Sequence, residues 1–123
     1  MDIRMEFGKY RFTDVWRSEI GEIPFWDMGG RGDEMKILCA LEKGRTLNTL
    51  RFSYPAELII REGTGVFIFG ENFLRYKPYS LVTLDAQVAF VFERVETDTI
   101  FIMAGLKQKQ FKKTLCLPER RTP

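Results

Sequence analysis

The chain has 123 residues, 45% of them apolar and 29% charged, with 11 phenylalanines and a net charge of +2. A chain of this length supports one core and buries roughly two-thirds of the surface it exposes when unfolded. The balance is too apolar for disorder, no apolar run approaches the roughly 20 residues that cross a bilayer as a helix, and so small a net charge singles out no partner.

In chain order, the opening MDIRMEFGKYRF alternates charged and apolar residues without the continuous apolar stretch of a secretion signal, so a cytoplasmic location is expected. TDVWRSEIG follows, with Thr13 as a candidate N-cap, Val15, Trp16 and Glu19 in helical spacing and Gly21 as a stop. It predicts a short helix over about 14–20 or, failing that, an irregular arm. DMGGRGDE, 27–34, reads as a flexible turn; its glycines could form an anion-binding nest, but no strand leads into it and no helix plainly follows.

From Met35 onward, short apolar runs alternate with Gly, Pro, Asn and Asp. Strands are predicted at 35–41 (MKILCAL), 47–53 (LNTLRFS), 57–62 (ELIIRE), 66–69 (VFIF), 73–76, 81–84, 88–93 and 99–104 (TIFIMA). Eight short strands at this spacing point to an antiparallel sandwich or barrel and away from βαβ units. The two cysteines, Cys39 and Cys116, lie far apart and form no CxxC pair, so free reduced thiols are expected and zinc is not. From Lys107 to Arg121 the basic residues Lys107, Lys109, Lys112, Lys113, Arg120 and Arg121 face Glu119 alone, which fits a solvated tail better than a nucleic-acid surface because no aromatic stacking set accompanies it.

The stretch ELIIREGTGVFIFGENFLRYKPYSLVTLDAQVAFVF, 57–92, runs from an extended strand through an EG turn into a second strand, then a G-E hairpin, a KP turn before LV, and an apolar strand after LDAQ. This pattern resembles the cupin domain over roughly 47–104. The resemblance implies a jelly-roll barrel and, in typical members, a metal held by an H-x-H pair, a glutamate and a third histidine, an arrangement that works because alternate strand residues share a face. This chain has no histidine. Counting back from Gly63 puts Leu50 and Phe52 at the paired histidines and Ala56 at the carboxylate; a slip of one residue gives Arg51, Ser53 and Glu57 instead. Matching Pro78 and Tyr79 to the family's P-G turn puts Phe90 at the third histidine, with Phe92 on the same side. Either register leaves at most one carboxylate where three or four ligands are needed, so no metal and no other cofactor is expected.

Two readings of the interior remain open. Phenylalanines could fill the barrel axis, or an apolar pocket lined by Phe52, Phe67 or Phe69, Phe90 and Phe92 could open among polar groups drawn from Arg51, Ser53, Glu57, Arg61 and Tyr79. Glu57 turned inward among apolar neighbours would suit general acid or base work; paired with Arg51 or Arg61 on the outer face it would be structural. The expectation is an all-β, cupin-like antiparallel jelly-roll β-barrel with a short N-terminal helix or arm. Residues 1–34 pack on the barrel as that arm, 35–106 form the barrel, and 107–123 form a basic tail, all within a single domain. The function read from this is a metal-free binding domain for a small organic ligand, or an interaction module, assembled as a homodimer and engaging neither membrane nor nucleic acid. The alternative is a metal-independent isomerase, epimerase or lyase acting on a sugar- or carboxylate-type substrate, with Glu57 and Tyr79 as its acid and base.

Overall fold

The computed structural model describes residues 3–18 and 21–107. The described residues form eleven strands: β1 (Glu6–Phe7), β2 (Tyr10–Arg11), β3 (Asp14–Ser18), β4 (Gly21–Asp27), β5 (Glu34–Leu41), β6 (Ala56–Glu62), β7 (Gly65–Phe69), β8 (Asn72–Tyr76), β9 (Leu81–Leu84), β10 (Phe90–Val95) and β11 (Thr99–Lys107). All pairings are antiparallel. A six-stranded sheet in the order β3-β4-β5-β11-β6-β9 faces a three-stranded sheet in the order β10-β7-β8, and β1 and β2 make a separate hairpin. Alternation decides which side chains turn inward. On β6, Ala56, Leu58 and Ile60 are buried while Glu57 and Arg61 are exposed; on β9, Val82 and Leu84 are buried beside exposed Leu81 and Thr83.

The main core lies between the two sheets. Ile37, Cys39, Leu41, Leu58, Ile60, Phe101 and Met103 from the large sheet meet Phe67, Tyr76, Phe90, Phe92 and Val95 from the small one. β5 and β11 are buried on their other face as well, which is why MKILCAL and TIFIMA read as nearly continuous apolar runs instead of alternating ones. There Leu38, Ala40, Ile100 and Ile102 lie beneath Phe7, Tyr10 and Phe12 of the β1–β2 segment. The hairpin is pinned by the Trp26 indole, which donates to the carbonyl of Arg11 at 2.8 Å, and by Arg4, whose guanidinium sits 4.3 Å from the Phe7 ring centre and 2.9 Å from Asp98. Burial pushes the Asp98 carboxyl up, but the Lys43 backbone N–H and the Arg4 guanidinium outweigh it and hold the group below its ordinary value.

Glycines are fixed where the chain turns tightest. Gly63 closes the β6–β7 hairpin at φ 106°, and a Cβ there would come within 2.5 Å of the Thr99 hydroxyl.

Three sequence expectations change. The segment predicted as a helix or arm is strand over Asp14–Ser18, paired with β4 so that Trp16 stands opposite Ile23; residues 19–20 lie outside the described residues. Strands β3 and β4 therefore belong to the large sheet, and the part that packs on the barrel from outside is β1–β2. The strand expected at 47–53 does not form. Its polar positions Asn48, Thr49, Arg51 and Ser53 are exposed, and among the described residues its strand pairing is an isolated bridge between Leu50 and Phe90. The basic tail beyond Lys107, with Cys116, lies outside the described residues.

Candidate functional site

The interior end of the barrel is built by residues that approach from three directions. The small sheet contributes Phe67, Phe90 and Phe92 through alternation on β7 and β10. The large sheet contributes Trp16, Ile23, Phe101 and Met103. The irregular segment 47–53 adds Leu47, Leu50 and Phe52; Leu50 exchanges two backbone hydrogen bonds with Phe90, at 3.0 and 2.9 Å, and Phe52 is 3% exposed.

Among the expected site residues, Phe52, Phe90 and Phe92 come together. Phe52 and Phe90 have ring centres 5.4 Å apart, Phe67 is 5.8 Å from Phe90 and 4.9 Å from Phe92, and Phe92 is 4.8 Å from Phe101 across the barrel. Phe67 and Phe92 meet edge-to-face and the other pairs are tilted, so none is the face-to-face sandwich that aromatic quadrupoles disfavour. The other candidates stay outside this cluster: Arg51, Ser53, Glu57, Arg61 and Tyr79 are all exposed, Tyr79 by 85%. Glu57 stands opposite Thr83, whereas the Tyr79 backbone N–H donates to the carbonyl of Ile60. Three residues of strand separate those two points on β6, about 10 Å. Glu57 and Tyr79 therefore do not converge, and no ion pair joins Glu57 to Arg51 or Arg61 among the described residues.

This placement also separates the two registers left open by the sequence. Leu50, Phe52, Ala56 and Phe90 are the set that points inward. At the positions where the resemblance puts metal ligands, the chain thus offers only carbon. Among the described residues no group of three or more Cys, Asp or Glu side chains is placed to hold an ion. The donor set does not fit a transition metal.

Beside the aromatic cluster lies a cavity of about 20 Å3 lined by Trp16, Ile23, Leu47, Asn48, Leu50, Phe90, Val91, Phe92, Phe101 and Met103. Of these lining residues Asn48 alone is exposed. The space suits a molecule the size of water, which needs roughly 10–15 Å3 by this measure. Of this lining, sequence reasoning named Leu50, Phe90 and Phe92 but missed Val91 beside them and Trp16, Ile23, Leu47, Asn48, Phe101 and Met103, which reach the cavity from elements whose pairing is not written in local pattern.

Two other titratable groups inside the fold are silent near neutral pH. Burial pushes the Cys39 thiol well above its ordinary value, so it is a packed side chain and no nucleophile. The buried Tyr76 phenol is bonded to Thr99 Oγ1 at 2.8 Å. Because the Thr99 hydroxyl already donates to the Thr97 carbonyl, the phenol is the donor. Desolvation, and to a lesser extent Glu96, pushes Tyr76 up to about 12 against the opposing effect of the Thr99 bond.

Two facing antiparallel sheets closing over one apolar interior define a small jelly-roll barrel. No protein-family model matches the chain, and no curated protein matches it in sequence. Solved structures do match in fold. A cupin-2 domain from Rhodospirillum rubrum aligns over 85% of this chain and 78% of its own, with 15% identity and a TM-score of 0.62. A predicted oxalate decarboxylase from Thermotoga maritima aligns over 86% and 100%, with 17% identity and a TM-score of 0.61. A cupin superfamily protein from Desulfitobacterium hafniense aligns over 69% and 77%, with 10% identity and a TM-score of 0.60. The fold is the cupin fold. Among the described residues no helix is long and apolar enough to cross a membrane.

Proposed function

We propose that this chain is a metal-free binding module that holds a small apolar group of an organic ligand against its aromatic interior, admitted beside Asn48. The observation that carries the reading is the cleft itself: the interior is lined by aromatic and aliphatic carbon where cupins place metal ligands, and Asn48, an amide, is the exposed residue of that lining. An apolar wall with a few polar groups at the rim is the usual form of a small-molecule site. At about 20 Å3 the resting cavity is smaller than such a ligand, so entry requires displacement of the 47–50 segment. Among the described residues the segment's ladder contact is the isolated Leu50–Phe90 bridge, fewer backbone bonds than hold a regular strand.

The isomerase, epimerase or lyase alternative draws less support, because it needs Glu57 and Tyr79 to share one substrate and they lie apart on the outer surface. The test is a ligand-observed NMR and thermal-shift screen with benzoate, phenol and short-chain aliphatic acids. A ligand that binds the folded chain at ten times its Kd should add about 1.4 kcal/mol of stability. The wild type should bind at least one aromatic compound, and Leu47→Trp, which places an indole beside Asn48, should abolish it. Failure of every compound to bind the wild type, or binding that survives Leu47→Trp, would contradict the reading.

A further inference from the structure

Arg45 is fixed at both ends beside the aromatic cleft. Its backbone closes a tight turn after β5, in which the Arg45 N–H donates to the Glu42 carbonyl at 2.9 Å. The Lys43 N–H donates to Asp98 and the Gly44 N–H to the Val95 carbonyl, so two further bonds tie this turn to the barrel. The side chain, half-buried, then reaches across to β4, where its Nη2 donates to the Glu22 carbonyl at 2.6 Å.

A glycine makes room for the guanidinium. At Gly21, with φ 128°, a Cβ would lie 3.2 Å from Leu47 Cδ2 and 3.4 Å from Arg45 Nη2, so these two groups meet over its bare backbone. Leu47 is also a wall of the cavity, and Glu22, whose carbonyl holds the guanidinium, is followed by Ile23, another wall. The cation therefore stands beside the Leu47 wall, outside the resting cavity.

The acids of these same elements are engaged elsewhere. Strand alternation turns the Glu22 carboxylate away from the face of Ile23, and there it accepts from Arg17 Nε at 3.0 Å; Glu42 lies 3.8 Å from Arg4. Among the described residues no carboxylate pairs with Arg45. A guanidinium carries five N–H donors in a planar fork that matches a carboxylate through two parallel bonds, and the Glu22 carbonyl takes one of them.

We infer that Arg45 is the specificity-determining residue of the cleft and that the ligand is a small carboxylic acid. Its apolar end enters among Phe90, Phe92 and Phe101, and its carboxylate docks on the Arg45 guanidinium. This rests on the binding function proposed above. The displacement of the 47–50 segment that entry requires moves Leu47 aside, and Leu47 is the side chain common to the cavity and the cation. A singly charged planar anion suits one guanidinium, whereas a neutral molecule of the same shape makes the apolar contacts and leaves the charge unmet.

Ligand-observed NMR titration of the full chain with benzoate and with benzamide, a neutral molecule of nearly the same shape, tests this. The wild type should bind benzoate at least tenfold more tightly than benzamide. Arg45→Met should cut that preference to less than twofold by weakening benzoate alone, and Arg45→Lys should recover part of it. Arg31→Met, at an exposed arginine of the 27–34 turn, should leave both affinities unchanged; circular dichroism verifies that each variant is folded, and the wild-type comparison stands without them. A wild-type preference below tenfold, or one that survives Arg45→Met, overturns the inference and leaves the aromatic cleft as a binding site. Failure of both compounds to bind contradicts the cleft itself, and the inference with it.

Discussion

Replacing Phe92 by alanine tests how the barrel interior is held together. Phe92 is 3% exposed and touches both layers: its ring lies 4.9 Å from Phe67 and 5.5 Å from Tyr76 on its own sheet, and 4.8 Å from Phe101 on the other. Truncating a buried phenylalanine costs about 3–5 kcal/mol, from the lost transfer energy and the void left behind. The new void would merge with the existing cavity of about 20 Å3, so collapse around it is limited and a loss of about 4 kcal/mol is expected. That is a large part of the roughly 5–15 kcal/mol that holds a domain of this kind together. With a urea dependence of about 2 kcal/mol per molar, the unfolding midpoint should fall by about 2 M. Urea titration followed by tryptophan fluorescence and circular dichroism reads this directly. Phe73→Ala is the matched control: the side chain is 72% exposed and its removal should change stability by no more than about 0.5 kcal/mol. A loss below about 1 kcal/mol for Phe92→Ala, or a larger loss for Phe73→Ala, would refute the packed aromatic axis.

Other outcomes follow from the same geometry. Tyr76 is pushed up to about 12 in the fold against an ordinary value near 10, so the folded state holds this proton more tightly than the unfolded one. Its contribution, about 2–3 kcal/mol, is complete below pH 10 and is lost as pH rises towards 12; Tyr76→Phe should flatten that part of a stability–pH curve while costing about 1 kcal/mol at neutral pH through the lost bond to Thr99. Phe12 is 3% exposed and its ring lies 4.9 Å from Trp26. Phe12→Ala should loosen the β1–β2 hairpin, raising hydrogen exchange at its amides and the binding of a hydrophobic dye to the uncovered Leu38 and Ile102 face, while exchange in β7 and β10 stays slow.

What the sequence revealed follows from the range of the interactions involved. Strands β5 to β11 were legible, apart from the 47–53 segment, because alternation and turn residues act over a few positions: Gly63, Gly70 with Asn72, and Pro78 mark turns wherever the rest of the chain lies. β3 was misread because Val15, Trp16 and Glu19 satisfy a helical spacing, whereas the pairing of Trp16 with Ile23 depends on the neighbouring β4. LNTLRFS looked like a strand because Leu47, Leu50 and Phe52 are apolar; it lacks a continuous partner, and those three side chains anchor an irregular segment instead. The unbroken apolar runs of β5 and β11 were a readable sign of burial on both faces, and hence of a covering element, that alternation alone does not supply. For the site, the absence of histidine was decisive about donors, but the inward register and the cavity lining required tertiary placement. The polar candidates Arg51, Ser53, Glu57 and Arg61 were one residue out of phase with the buried positions, and in a strand one residue exchanges inside for outside.

The most direct measurement of the central claim is metal content and metal affinity of the purified full chain, by elemental analysis and by calorimetric titration with zinc, manganese and ferrous ions. An interior lined by Leu50, Phe52, Ala56 and Phe90 predicts no stoichiometric metal and no saturable heat at micromolar ion. One equivalent of bound transition metal that is lost on Phe90→Ala would contradict it.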